Sequence, residues 1–177
     1  EGGCFSPISV FDPMSARIAE ELGAPALMLA GSVAAMSVRA APDDATLTLD
    51  ELSGLVRRIC RVCAVPLIVD ADHGYGNALN VVRTVEELEH AGAAALTIED
   101  TLLPQPYGPG GAEPQLVSLD EACAKLEAAL YARRDKSLMI IGRTGGAGLG
   151  DPEDIRRRMQ TYADLGCDMV FVRGVET

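Results

Sequence analysis

Short, near-continuous apolar runs alternate along this chain with segments whose apolar residues recur at helical spacing. The runs are "ISVF" from Ile8, "ALMLAG" from Ala26, "PLIVDA" from Pro66, "AALTIED" from Ala94, "LMIIGR" from Leu138 and "DMVFVRG" from Asp168. Apolar runs of this length, bounded by turn residues, suit parallel strands buried on both faces. The segments between them carry helix punctuation. Thr48 with Glu51, and Ser118 with Glu121, read as capping boxes ahead of "LSGLVRRICRV" and "ACAKLEAALYARR". Asp151-Pro152 reads as an N-cap and first-turn proline before "EDIRRRMQTYADLG", which closes on Gly166, and "VVRTVEELEHAG" closes on Gly92.

Strand and helix in alternation predict an α/β fold with a parallel sheet. An open doubly wound sheet and a (β/α)8 barrel both fit, and both bind ligands at the carboxyl ends of their strands. The polar residues favour the barrel. Asp70 and Asp72, Glu99 and Asp100, and Arg143 lie at the ends of three successive strands. A closed ring of strands would point them into one bowl. A complete barrel takes about 250 residues, whereas this chain of 177 holds about six βα units. The expectation is therefore one barrel domain over residues 1–177 with its C-terminal part missing, as in a piece of a longer protein.

Composition narrows the partners. Twenty-six acidic against 15 basic residues give a net charge of −11, which disfavours nucleic acid and anionic membrane surfaces. No apolar run reaches the roughly 18–20 residues needed to span a bilayer, and no leader opens the chain, so a cytoplasmic location is expected. Five cysteines without scaffold spacing argue against a disulfide framework. Cys60 and Cys63 form a CxxC, but on a helical period both fall on a largely apolar face, as core thiols would.

The candidate chemistry concentrates in "VDADHGYGNALN", from Val69 to Asn80. Side-chain alternation would put Asp70 and Asp72 on the same side of their strand. Mg²⁺ takes one or two carboxylates and keeps several waters, so Glu99 from the next strand could complete its surroundings through water. The competing reading is that these acids cap the next helix or form Asx turns. Arg143 ends an apolar run and must face carboxylates or an anionic ligand, with a salt bridge to Glu99 or Asp100 as the simplest arrangement. "GGAGLG" matches a dinucleotide fingerprint only loosely.

At these residues the chain resembles a known family. "SVFDPMSARIAEELGAPALMLAGS", "VDADHGYGNALN" and "LTIEDTLLPQ" are similar to segments of the isocitrate lyase and phosphoenolpyruvate mutase superfamily, with the oxaloacetate decarboxylase branch the nearest match. The resemblance implies a (β/α)8 barrel, Mg²⁺ with Mn²⁺ as a substitute, a small 2-oxo dicarboxylate substrate and a homo-oligomer, dimer or tetramer. By position, Asp70 would be the direct metal ligand, with Asp72, Glu99 and Asp43 acting largely through water. Ser32 and the neighbouring amides, Val33 among them, would meet a substrate carboxylate, and Arg143 would orient the substrate. Tyr75 and His73 are the proton donors this stretch offers.

The departures are equally informative. The carbon–carbon lyases of the superfamily carry a Lys-Lys-Cys-Gly-His loop after the fourth strand, and the mutase branch places a lysine and an asparagine there. This chain reads "LLPQPYGPGGAEPQ" instead, as a decarboxylase gate would. After Arg143, "RTGGAGLG" has glycine where the family shows Asn or Asp. The expected reaction is decarboxylation of oxaloacetate through an enolate stabilised by metal and Arg143. The alternatives are phosphonopyruvate hydrolysis, mutase or methylisocitrate lyase chemistry, or an inactive partial barrel that binds Mg²⁺ and small carboxylates.

Overall fold

A computed structural model describes residues 4–104, 115–145 and 151–174. Its strands are β1 (Ile8–Ser9), β2 (Leu27–Leu29), β3 (Leu67–Asp70), β4 (Ala95–Glu99), β5 (Met139–Thr144) and β6 (Met169–Val172). Five lie within the apolar runs, and β5 extends one residue past its run, to Thr144. The helices are α1 (Pro13–Glu21), α2 (Gly31–Arg39), α3 (Leu49–Cys60), α4 (Ala78–Ala91), α5 (Leu119–Ala132) and α6 (Pro152–Asp164).

Helix boundaries follow local chemistry. Thr48 and Glu51 close a reciprocal capping box on α3. At α5 only half of the expected box forms: Ser118 accepts from Glu121 N–H. Asp151 caps α6 with Pro152 in its first turn. Gly92 ends α4 at φ 100°, a left-handed position that costs a glycine little. Helix α2 follows β2 after a single residue and carries no side-chain cap.

All strand pairings are parallel, and the strands lie side by side in chain order, β1 to β6. A doubly wound sheet would reverse its order at a switch point. The monotonic order is that of a barrel, here six strands of it, with two free edges among the described residues. Leu27, Val69, Leu96 and Ile140 of the sheet are fully buried with Leu52, Val56, Val85 and Leu88 of the helices. Each such side chain contributes about 1.5–3 kcal/mol on burial. The edges contrast with this core. Ile8 on β1 and Met169 and Phe171 on β6 are exposed, as are Met14 and Ile18 on α1 and Leu22 at its C-cap, spaced four apart. Cys63 is buried and Cys60 partly so, and both are free thiols; Cys60 ends α3 as expected, but Cys63 lies beyond the helix, in the loop before β3.

Candidate active site

Sheet register brings the charged strand ends together. Asp70 on β3 stands opposite Thr97 on β4, Glu99 on β4 opposite Arg143 on β5, and Arg143 opposite Phe171 on β6. Asp70, Glu99 and Arg143 are all buried.

Arg143 lies between the two acids. Its Nη1 donates to Asp70 Oδ2 at 2.5 Å, and its Nε sits 3.1 Å from Glu99 Oε2, an ion pair without the alignment of a hydrogen bond. Its guanidinium carbon lies 5.7 Å from the centre of the Phe171 ring, within cation–π range. Burial penalises this cation, but Asp70 and Glu99 outweigh it and hold the guanidinium charged. The expected bridge to Glu99 is present, and Asp70 takes the second position in place of Asp100.

Asp70 Oδ1 is held independently, accepting from Thr97 Oγ1 at 2.8 Å and from Asp72 N–H at 3.2 Å. The second contact is an Asx turn, so the competing reading of the acid pair is partly realised. Helix α4, however, is capped by Asn77 and by neither aspartate. Strand β3 stops at Asp70, and Asp72 sits beyond it at φ 47°. Asp72 therefore joins the cluster through a left-handed turn, not by the strand alternation expected from sequence. Its carboxyl is pushed up to about 8 by burial and then by the charges of Asp70, Asp43 and Glu99. Glu99 is likewise raised, by burial first, with Arg143 opposing.

Asp43 lies between α2 and α3, exposed, with its carboxyl raised by partial burial and then by Asp70. Ser32 and Val33 occupy the first turn of α2, where backbone N–H groups have no intrahelical partner and favour an anion. They line an open, largely apolar cleft of about 380 Å³ with Phe11, Met36 and Ser37. The cleft contains none of the charged cluster.

Tyr75 also adopts a left-handed conformation, φ 62°. Its hydroxyl is buried without a hydrogen-bond partner, and burial plus the charges of Asp72 and Asp70 keep it protonated. The His73 ring lies 5.9 Å from that of Tyr75. Burial, and then Lys125, lowers His73 to about 4, so it is neutral. Its Nδ1 is likewise buried and unpartnered.

Among the described residues, no three His, Cys, Asp or Glu side chains stand close enough together to hold a metal ion between them. The donor set still fits a hard, hydrated cation. The Asp70 charge contributes to raising the carboxyls of Asp43, Asp72 and Glu99, and Arg143 is the cation buried among these acids, with Arg173 acting from the surface. The Asp72 carboxyl, raised to about 8 by burial first and then by the charges of Asp70, Asp43 and Glu99, sits where negative charge is both desolvated and crowded. Mg²⁺ needs only one or two such oxygens and retains its waters.

Asp100 departs from expectation. It points away from the bowl into the layer between strands and helices, where Oδ2 accepts from Tyr162 O–H at 2.7 Å and from Arg158 Nη1 at 3.2 Å. Period-two alternation separates it from Glu99. The sequence reading also missed Thr97. A polar residue inside an apolar strand, two before Glu99 and so on the same face, was its signal. Of the stretch expected to form a gate, Leu102 to Gln115, residues 105–114 lie outside the described residues, as do residues 146–150 after Gly145.

The comparisons with known proteins agree with this geometry. The phosphoenolpyruvate phosphomutase family model matches residues 1–177. The chain is 56% identical over 174 residues to an oxaloacetate decarboxylase of Rhodopseudomonas palustris, covering 98% of this chain and 60% of that protein. It is 53% identical over 171 residues to one of Paraburkholderia xenovorans, covering 97% and 57%. The solved structure of oxaloacetate acetylhydrolase superposes with a TM-score of 0.86 at 29% identity, covering 96% of this chain and 57% of that one. Phosphonopyruvate hydrolase, solved with oxalate and Mg²⁺, superposes with a TM-score of 0.85 at 30% identity, covering 95% and 57%. The chain thus spans less than two thirds of the length of these relatives. Matched from end to end by the family model, with its charged residues gathered at the strand ends of a partial barrel, the chain belongs to the phosphoenolpyruvate phosphomutase family of the isocitrate lyase and phosphoenolpyruvate mutase superfamily.

Proposed function

We propose that the whole protein is a Mg²⁺-dependent oxaloacetate decarboxylase, forming pyruvate and CO₂, and that this chain supplies its metal-binding and charge-stabilising half. The observation that carries this reading is the 53–56% identity to oxaloacetate decarboxylases over nearly the full chain. The solved acetylhydrolase and phosphonopyruvate hydrolase stand at 29–30%.

In this reading Asp70 would hold the metal directly, and Asp72, Glu99 and Asp43 would hold it largely through water. Mg²⁺ bound there, or Mn²⁺ in its place, would supply Lewis acidity to a 2-oxo acid. The residues of the chain do the rest. Amides at the start of α2, at Ser32 and Val33, receive a substrate carboxylate. When the bond from C3 to the distal carboxyl carbon breaks, CO₂ departs and its electron pair moves toward the 2-oxygen. Arg143, already held in place by Asp70 and Glu99, faces that growing negative charge without having to reorganise. The resulting enolate needs a proton at C3, and Tyr75 carries one on an unpartnered hydroxyl. A cytoplasmic homo-oligomer, with a single barrel domain that includes residues 1–177, accompanies this assignment.

The test is Mg²⁺-dependent pyruvate formation from oxaloacetate by the full-length protein, compared with its Asp70→Ala variant. Mg²⁺ alone decarboxylates oxaloacetate slowly, so only the excess over the variant counts. A large excess supports the reading. Equal rates point to a barrel that binds without turnover. Faster turnover of phosphonopyruvate would move the assignment to that hydrolysis.

A further inference from the structure

The turn from Ala71 to Gly76 carries Asp72 at φ 47° and Tyr75 at φ 62°, a left-handed region that aspartate tolerates but that is costly for tyrosine unless the surroundings hold it. Three successive carbonyls show what holds the turn. Asp72 O accepts from Glu99 N–H at 2.8 Å, Gly74 O from Thr84 Oγ1 at 3.0 Å, and His73 O from Lys125 Nζ at 3.1 Å. The donors come from β4, α4 and α5, so each neighbouring element holds one carbonyl.

Lys125 is the unusual donor. It lies on the inner face of α5 among Ala122, Leu126 and Ala129, is 4% exposed, and forms no ion pair among the described residues. The space around it, bordered by Ile98, Asp100 and Tyr162, has no room for a water molecule. A buried ammonium is costly without a partner, and the partner here is one backbone carbonyl of the functional turn. Burial lowers the lysine's affinity for its proton, while Glu121, Asp100 and Glu99 raise it.

We infer that Lys125 is a positioning residue: by gripping the His73 carbonyl from outside the barrel, it fixes the turn that aims Asp72 and Tyr75 into the site. This rests on the assignment of Asp70 and Asp72 to Mg²⁺. Supports of this kind behind metal ligands are typically worth about 10–100-fold in metal affinity. The lysine touches neither substrate nor metal.

The experiment uses full-length protein and reads Mg²⁺ binding by calorimetry, with kcat and KM for oxaloacetate and the melting temperature measured in parallel. Lys125→Met keeps the length and apolar stem but removes the donor. It is expected to weaken Mg²⁺ binding about tenfold or more and to lower kcat, with KM much less affected. Lys125→Arg, which can still donate, is expected to restore most of the affinity. A Lys125→Met protein that melts lower but binds Mg²⁺ with wild-type affinity overturns the inference, because a purely structural lysine would behave that way. If Lys125→Met does not fold, Lys125→Gln takes its place, and the same criteria apply. Wild-type protein that binds Mg²⁺ without decarboxylating leaves this test standing while the functional reading fails. Wild-type protein that binds no Mg²⁺ overturns both.

Discussion

Glu99 and Asp100 are adjacent in sequence and face opposite sides of the sheet: Glu99 pairs with Arg143 in the bowl, and Asp100 accepts from Tyr162 and Arg158 behind it. Asp100 also accepts from Gly145 N–H at 3.3 Å, and its own carbonyl receives Val117 N–H at 2.8 Å. The outer member of the pair thus ties the end of β5 and the approach to α5 to the strand that carries Glu99.

That arrangement predicts a stability effect first. Tyr162→Phe removes a buried hydrogen bond to a charged acceptor, and a loss of about 1.5–3 kcal/mol is expected. Asp100→Ala leaves Arg158 buried with Asp154 as its remaining acid, and should cost more, about 3–5 kcal/mol. Urea denaturation of the full-length protein checks both, and equal effects would show that Arg158 is satisfied without Asp100.

Arg143 predicts an effect on turnover. Arg143→Gln leaves Asp70 and Glu99 facing each other without the cation, and removes the donor aimed at the developing oxyanion. A fall of about 10²–10³ in kcat is expected, by analogy with loss of one oxyanion-hole donor. Arg143→Lys should recover little, since an ammonium cannot span Asp70 and Glu99 as the planar guanidinium does. Steady-state kinetics with oxaloacetate decide this, and a lysine variant near wild-type activity would reduce Arg143 to a simple charge.

Much of this arrangement was legible in the sequence because it is local. Buried parallel strands produce apolar runs, and the acids and arginine that interrupt those runs at their ends were visible as interruptions. What was not legible depends on pairing between distant segments. Thr97 matters because register places it opposite Asp70, and Lys125 because α5 packs over the turn at His73. Neither relation is written in the residues around them. Asp72 was assigned to the right cluster by the wrong route, since a left-handed turn after β3 has no period-two signature. Asp100 was misplaced because proximity to Glu99 in sequence was read as proximity in space.

Gly31 offers a test of the packing against Asp72. A Cβ there would meet Asp72 Oδ1 at 2.5 Å and Oδ2 at 3.3 Å. Alanine in place of glycine stabilises a helix interior by roughly 1 kcal/mol, so at Gly31, the first residue of α2, propensity alone predicts a smaller gain and no loss. Gly31→Ala is instead expected to displace the Asp72 carboxylate and weaken Mg²⁺ binding by about tenfold. Calorimetric titration measures it, and unchanged affinity would mean that Asp72 yields at no cost to the site.

The last prediction concerns pH. The Asp72 carboxyl, at about 8 when folded and 3.8 ordinarily, keeps a proton through that interval that the unfolded chain has lost. The folded state binds more protons there, so stability without metal must fall as pH rises toward 8. His73, lowered from 6.5 to about 4, acts in the opposite sense at lower pH: the unfolded chain binds the proton, and stability rises with pH between those values. The two slopes oppose each other below 6.5, and only the Asp72 slope continues from 6.5 to 8. Metal-free protein should therefore lose stability across that upper window, by at most about 1.4 kcal/mol per pH unit for one proton. Mg²⁺ must expel the same proton, so its affinity should climb by up to about tenfold per pH unit before levelling off. Denaturation in a chelator at pH 6.5 and pH 8, with Asp72→Asn as the control that lacks the slope, separates this from a general pH effect. Identical profiles for the two proteins would show that Asp72 already carries its charge at neutral pH.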